Sequence, residues 1–485
     1  MQPRIQLLSP ELVQRILDEA FQLMMDPGIK VLSDRARELL RAAGAEAPAS
    51  SPVVRIPEAI ARMALETTPK SFQLYDALGG AAVTYGGNTV QFDPGSSAVH
   101  ILDPETLEHR SPQSADLVRL IKVAEQLPAY DAQSTAVICD DVPREIGDLY
   151  RLYLVLMYSV KPVITGAFSN GTLQIMIDML ASLAGGRRQL AERPHAVFDV
   201  CPSPPLIWSS FGAENLMELA LASVPAEIVS MPLAGAAAPV TLLGAITQHA
   251  AECLSGITIH QLANPGAPIV WGGAPAIFDM RKGTTPMGAV ETAMIDASYA
   301  EVGKSLDLPT HCYLGASDSK LVDAQAGLES GISALLGALA GINMISGAGM
   351  LDFLACQSAE KLVVDAEAVG MVKRLLAGLQ VRPGMLATTF FEGINFKGDF
   401  LKQKATRELF SEEQHLPSAV IDRDSVRGWQ HAGSLDTFQR AKRRTQDLLL
   451  RYERPAIAVE HEAEISRAVQ AVAAEAGMAR IPELV

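Results

Sequence analysis

The run Pro309-Thr-His-Cys-Tyr-Leu-Gly-Ala-Ser-Asp-Ser-Lys320 brings an imidazole, a thiol, a phenol, a carboxylate and an ammonium close together in sequence. Those types could bind zinc, activate a nucleophile or move a proton. Zinc needs three or four ligands at workable spacing, and His311 and Cys312, as neighbours on a strand, point to opposite faces. No His-x-Cys, Cys-Cys or His-Glu-x-x-His supplies further ligands, so no protein-bound metal is expected. A serine nucleophile in a Gly-x-Ser-x-Gly elbow is absent as well. His249 and Glu252 share one helix face at i,i+3 and read as a polar contact of an outer helix.

The elements that must position these groups follow from the same stretch. An apolar run breaks into a Gly/Ser/Asp loop, a small-residue helix follows, and a second run, Gly341-Ile-Asn-Met-Ile-Ser-Gly-Ala-Gly349, breaks into another glycine loop. That is a βαβ unit with polar groups at the strand C-termini, where barrel enzymes hold their chemistry. The alternation extends backwards, with strands expected near Ala132–Val137, Pro162–Thr165, Ala196–Val200, Glu227–Met231, Ile269–Trp271, Thr310–Leu314 and Ile342–Ile345. An eighth comes from a hairpin spanning Val83 to Gly95, whose second strand is Thr89 to Phe92. Eight strands alternating with helices predict an α/β fold, a closed (β/α)8 TIM-type barrel over residues 81–380. A helical segment precedes it over 1–80, with one helix from Ser9-Pro10 to about Met25 and a second capped by Ser33-Asp34. A helical appendage, including Arg427–Tyr452 and His461–Ala476, is expected to pack on the barrel over 381–485. No Gly-x-Gly-x-x-Gly follows the first strand, which argues against a dinucleotide site.

Charge narrows the partners. A net charge of −15 repels nucleic acid and anionic membrane, and the cluster Arg440, Lys442, Arg443 and Arg444 reads as one solvated helix face. The chain lacks a signal-peptide h-region and any run long enough to span a bilayer, so a cytoplasmic location is expected. Five dispersed cysteines read as reduced thiols. The expected site loops are rich in Gly, Pro, Ser and aromatics and poor in His and carboxylates. Such a rim suits a large flat partner that approaches the backbone closely, and Gly95, Gly273, Gly347 and Gly349 are the expected points of approach.

Four blocks carry a resemblance: Gly86-Gly-Asn-Thr-Val-Gln-Phe-Asp-Pro-Gly95, the run from Pro239 to Gln261-Leu-Ala-Asn-Pro-Gly-Ala-Pro-Ile-Val, Ser317-Asp-Ser-Lys-Leu-Val-Asp-Ala-Gln-Ala-Gly-Leu-Glu329, and Gly347-Ala-Gly-Met-Leu-Asp352. Together they resemble the trimethylamine methyltransferase family over nearly the full length. The resemblance implies a barrel that moves a methyl group from a methylated amine to the cobalt of a cobamide (cobalamin-type corrinoid) carried on a separate corrinoid-binding protein. Archaeal members acting on trimethylamine carry a pyrrolysine in a loop where this chain has ordinary residues, with Gly315 at the equivalent position. The chain therefore resembles the non-pyrrolysine branch, whose members use quaternary amines such as glycine betaine. Some of those place a histidine where this chain has Ser346, and Phe353 matches an aromatic of that pocket.

The chemistry fits few catalytic groups. Cobalt(I) in a corrin is already a nucleophile, and a quaternary ammonium leaves as a neutral tertiary amine, so positioning and an aromatic cage would suffice. Trp271, Phe353, Phe92, Phe168 and Tyr313 lie at or just beyond strand ends and are the expected cage. Asp318 either orients the substrate or caps the following helix. Trimethylamine is expected to be inert, and a homo-oligomer is expected. A non-catalytic paralogue that binds amines or a corrinoid protein, and a metal-dependent methyltransferase or lyase on the same barrel, are the competing readings.

Overall fold

The computed structural model describes residues 2–482 apart from 170, 383–385, 394–395, 397 and 457–458. Eight parallel strands form the centre: β1 (Gln91–Pro94), β2 (Gln133–Ser134), β3 (Val163–Gly166), β4 (Ala196–Val200), β5 (Ala226–Ser230), β6 (Ile269–Gly273), β7 (His311–Cys312) and β8 (Met344–Ala348). One ladder runs β2-β3-β4-β5-β6 and another β7-β8-β1. They close on each other through the Trp271↔Thr310 bridge between β6 and β7 and the Ala98↔Val137 bridge beyond β1 and β2. Asp131 N donates to Phe92 O at 2.8 Å along the second seam. Closure leaves no free sheet edge, and the expected (β/α)8 barrel is the observed fold.

Each strand is followed by a helix of the outer ring: α1 (Ser114–Glu125), α2 (Gly147–Tyr158), α3 (Thr172–Ala184), α4 (Ser210–Ala222), α5 (Leu242–Ala263), α6 (Val290–Ser305), α7 (Ala324–Leu339) and α8 (Ala359–Leu376). The strands are buried on both faces, so they are short and apolar rather than alternating. Before the barrel, Ser9 Oγ accepts from Leu12 N to cap the helix Pro10–Leu23, and Ser33 caps Asp34–Ala42. Both helices rest on α5. Late in the chain, Thr437–Arg451 packs on α1 and α8, and Val459–Glu475 on α2 and α3.

The expected hairpin of Val83 to Gly95 is corrected. Ala81–Gly86 pairs backwards with Ser71–Tyr75, with Phe72 opposite Tyr85, whereas β1 leaves to pair parallel with β8. The Gly86-Gly87 turn carries the chain from one unit to the other: Asn343 Nδ2 holds its carbonyls and that of Thr89. The resulting hairpin plugs the lower end of the barrel, where Leu74, Val83 and Tyr85 meet Ala132, Ile164, Val197, Val270 and Met344.

Candidate functional site at the barrel mouth

Register decides which side chains enter the barrel. Val197 faces the plug, so Asp199, two residues on, faces the same interior. Asp199 pairs with Glu227, and Glu227 with the plug-facing Val270. On the other ladder Met344 faces the plug and pairs with His311, which turns His311 inward together with Ser346 and its partner Asp93. Phe92, Trp271 and Cys312 hold the alternate positions and face the helices.

Two polar constellations result. Deep in the barrel, Ser346 Oγ donates to Asp93 Oδ1 and lies 2.7 Å from His311 Nε2. Because the hydroxyl proton goes to Asp93, Nε2 is the donor to Ser346, and a neutral imidazole leaves Nδ1 bare. That nitrogen abuts Glu227 Oε1 without the alignment of a hydrogen bond. Nearer the mouth, Tyr313 Oη donates to Asp199 Oδ2 at 2.8 Å and lies 3.2 Å from Ser96 Oγ. Asp93, Glu227 and His311 have no exposure, whereas Asp199 and Tyr313 each keep 8%.

Burial governs the charge states. It pushes the Asp199 carboxyl up to about 8, with the neighbouring Glu227 adding to the rise. Glu227 and Asp93 are pushed up for the same reason, the latter against the Ser346 hydrogen bond, and His311 is pushed down to about 4. Asp93 Oδ2, Asp199 Oδ1 and both Glu227 oxygens accept no hydrogen bond, and among the described residues no lysine or arginine bridges these acids. Buried acids without an ion-pair partner are held in the protonated form unless a cation arrives.

The loops are poor in carboxylates, as the sequence indicates, but the strands just below them are not. The expected site, poor in His and carboxylates, is therefore corrected, because Asp93, Asp199, Glu227 and His311 enter it from the strands. The available signal was a lone acid inside two of the apolar strands, Val197-Phe-Asp-Val200 and Ala226-Glu-Ile-Val229.

The expected site residues separate. Tyr313 and Ser346 belong to the interior constellation. Phe168 stands exposed on the rim, and Phe353 is half-buried with Lys320 Nζ 3.9 Å from its ring centroid. Asp352, Phe353 and Leu354 all hold positive φ (49°, 58° and 69°), a strained run that presents the ring. Trp271 is a correction: it is fully buried, its Nε1 donates to Tyr299 O at 3.0 Å, and its ring lies edge-on to His249 in the helix layer. Phe92 likewise faces α7 and α8, sharing a small cavity with Ser330, Ala334 and Val369. Gly315 backs onto α7, donating to Ser333 Oγ at 3.0 Å.

Asp318 does not cap α7. Asp323 does, and Asp318 instead accepts from Gly288 N at 2.9 Å, with burial raising its carboxyl to about 6. The four expected approach glycines are also corrected, because the space a side chain would take is already filled from within the protein. Met350 fills it at Gly95, His249 at Gly273, the Leu314 backbone at Gly347, and Gln357 with Leu362 at Gly349. His249 and Glu252 are fully buried rather than outer contacts: His249 Nε2 lies 3.0 Å from Gly272 O, and Glu252 accepts from Ser230, Leu206 and Gln248.

The family model for trimethylamine methyltransferase (MTTB) matches residues 1–477. The chain belongs to the trimethylamine methyltransferase family. It is an enzyme of a family of corrinoid-dependent methylamine and quaternary-amine methyltransferases. The trimethylamine methyltransferase MttB of Desulfitobacterium hafniense is 28% identical to it over 472 residues, covering 97% of this chain and 95% of that protein. The MttB of Methanosarcina barkeri is 30% identical, covering 98% and 96%, and the glycine betaine methyltransferase of D. hafniense is 28% identical, covering 98% of each. The crystal structure of the hydroxylamine complex of MtmB matches with a TM-score of 0.50 at 12% identity, over 92% of this chain and 89% of that one, a likeness of fold. Within this family member, no described helix is long and apolar enough to cross a membrane.

Proposed function

We propose that the chain transfers a methyl group from a quaternary ammonium compound to the cobalt(I) of a corrinoid carried on a separate protein. The observation that carries this reading is the acid-lined barrel interior, in which Asp93, Asp199 and Glu227 present carboxyl oxygens without partners. A quaternary ammonium has no N–H to donate, so it is recognised by charge and by aromatic faces, which are worth about 0.5 to 2 kcal/mol each. Asp199 and Tyr313 meet such a cation at the mouth, and the rim ring of Phe353, against which the Lys320 ammonium lies, supports a cation-accepting aromatic face there. The corrinoid supplies the electron pair that takes the methyl carbon. The C–N bond breaks toward nitrogen and the amine leaves neutral, so the acids hold the charge before transfer and lose their hold after it. No proton has to be passed to the leaving amine.

A corrinoid bound to its own protein needs a broad, partly apolar landing surface. Loops after six of the strands set Val99, Ile138, Phe168, Met231, Met280 and Leu321 at the surface on that face, which supports a corrinoid-binding protein as partner. The test is methyl transfer to cob(I)alamin, read in the visible spectrum, with glycine betaine, carnitine, choline and trimethylamine in parallel. At least one quaternary amine is expected to react and trimethylamine to stay inert. Trimethylamine turnover at a comparable rate would overturn the quaternary assignment.

A further inference from the structure

The four cations Arg440, Lys442, Arg443 and Arg444, expected as one solvated face of the helix Thr437–Arg451, take three different roles. Lys442 reaches toward the barrel, where its Nζ donates to Pro104 O at 3.2 Å and pairs with Glu105 Oε2 at 2.6 Å. Arg440 is half-buried and braces the chain around it: Nε donates to Val420 O at 2.9 Å, Nη1 to Leu435 O, and Nη2 to Thr437 Oγ1 at 3.2 Å. Arg443 and Arg444, at i+3 and i+4, share the Arg440 face of the helix. Among the described residues neither has a hydrogen-bond or ion-pair partner, although Arg444 is half-buried.

Both guanidinium groups line a cavity of about 430 Å³, a volume within the roughly 300 to 1,000 Å³ of small-molecule sites. Its other walls are the loop from Ser418 to Asp424 and the short helix Val426–His431, so it lies apart from the barrel mouth. Trp429 lines it from the short helix. The indole Nε1 already donates to Leu435 O at 3.0 Å, so Trp429 offers the cavity ring surface rather than a donor. Asp422 and Asp424 enter from the loop just before that helix: Asp422 Oδ1 accepts from Asp424 N at 2.8 Å, and the Asp424 carboxylate lies against Gly428. Asp447, one turn beyond Arg443 and Arg444, completes the lining and pairs with neither.

We propose that this cavity binds a nucleoside phosphate. The base lies on the Trp429 ring, a contact open to any base, and its amino group donates to the carboxylate of Asp422 or Asp424. Arg443 and Arg444 hold the phosphate, whose oxygens their planar forks match. A bare anion meets the arginines but also three carboxylates, and an uncharged aromatic leaves the arginines unpaired. A ligand with a flat, amino-bearing end and an anionic end answers the whole lining.

Fluorescence titration of the full-length protein tests it. The other two tryptophans, Trp208 and Trp271, are fully buried, so quenching by an added ligand reports Trp429. The probes are AMP, ATP, adenosine and inorganic phosphate at constant ionic strength. At least one of the two nucleotides is expected to quench saturably with a Kd below about 1 mM, with adenosine and phosphate about 10-fold or more weaker. Arg443→Gln and Arg444→Gln should each weaken that nucleotide about 5-fold or more and leave adenosine unchanged. Trp429→Leu, followed by calorimetry, should weaken it about 5- to 100-fold. Arg443 is exposed, so Arg443→Gln should melt as the wild type does and decides even if Arg444→Gln fails to fold. No saturable binding of AMP or ATP up to about 5 mM would overturn the proposal. So would phosphate binding as tightly as the nucleotide, which marks an adventitious anion only, or nucleotide affinity indifferent to Arg443→Gln.

Discussion

At the scale of single residues, Phe353 and Trp271 part company. Both are aromatics beside glycine loops near strand ends, and nothing in their immediate sequence separates them. Trp271 occupies an outward position of β6 and is sealed between the wall and the helices. Phe353 sits on a left-handed turn at the rim. Phe353→Ala is therefore expected to weaken amine binding by about 1 to 2 kcal/mol, roughly 5- to 30-fold, with the melting temperature nearly unchanged. Trp271→Ala should instead cost about 3 to 5 kcal/mol of stability and leave the affinity of the surviving folded protein as it was. Titration and thermal melts of both variants check this, and a loss of affinity confined to Trp271→Ala would reverse the assignment.

At the scale of elements, the plug hairpin decides how the lower barrel is closed. Tyr85 is fully buried and stacks on Phe72 at 4.8 Å between ring centroids, but among the described residues its hydroxyl has no hydrogen-bond partner. Removing the hydroxyl alone costs nothing that the fold was gaining, because an unsatisfied buried polar group is itself destabilising by about 1 to 3 kcal/mol. Tyr85→Phe should leave stability unchanged or raise it. Tyr85→Ala opens a cavity against Ile164, Val197 and Met344 and should cost about 3 to 5 kcal/mol. Chemical denaturation of the two variants distinguishes them, and a clear loss with Tyr85→Phe would show that the hydroxyl makes a stabilising polar contact.

At the scale of the whole molecule, the interior acids tie folding and binding to pH. Asp199, with its carboxyl at about 8 instead of 3.8, keeps a proton that the unfolded chain has already released. Between those two values the folded state binds more protons than the unfolded one, so stability falls as pH rises from about 4 toward 8. Asp199→Asn should remove its share of that decline, as denaturation midpoints at pH 5, 6.5 and 8 would show. A bound quaternary ammonium acts in the opposite sense by favouring the ionised acid. Amine affinity should therefore strengthen as pH approaches 8, with protons released on binding, measurable by titration in buffers of different ionisation enthalpy. Affinity independent of pH with no proton release would remove Asp199 from the cation site.

The order of strands and helices was legible in the chain because short apolar runs ending in glycine loops, spaced by helix-length segments, recur from β2 to β8. The family blocks were legible too. The inward or outward sense of each strand residue was not. A strand buried on both faces carries no polar alternation to mark its interior side, so Phe92 and Asp93 look equally available until the ladder with β8 sets the pleat. Closure of the barrel then put Asp199 beside Glu227 and His311 beside Ser346. These are contacts between residues far apart in sequence, created only when the sheet closes on itself and excludes water from both of its faces.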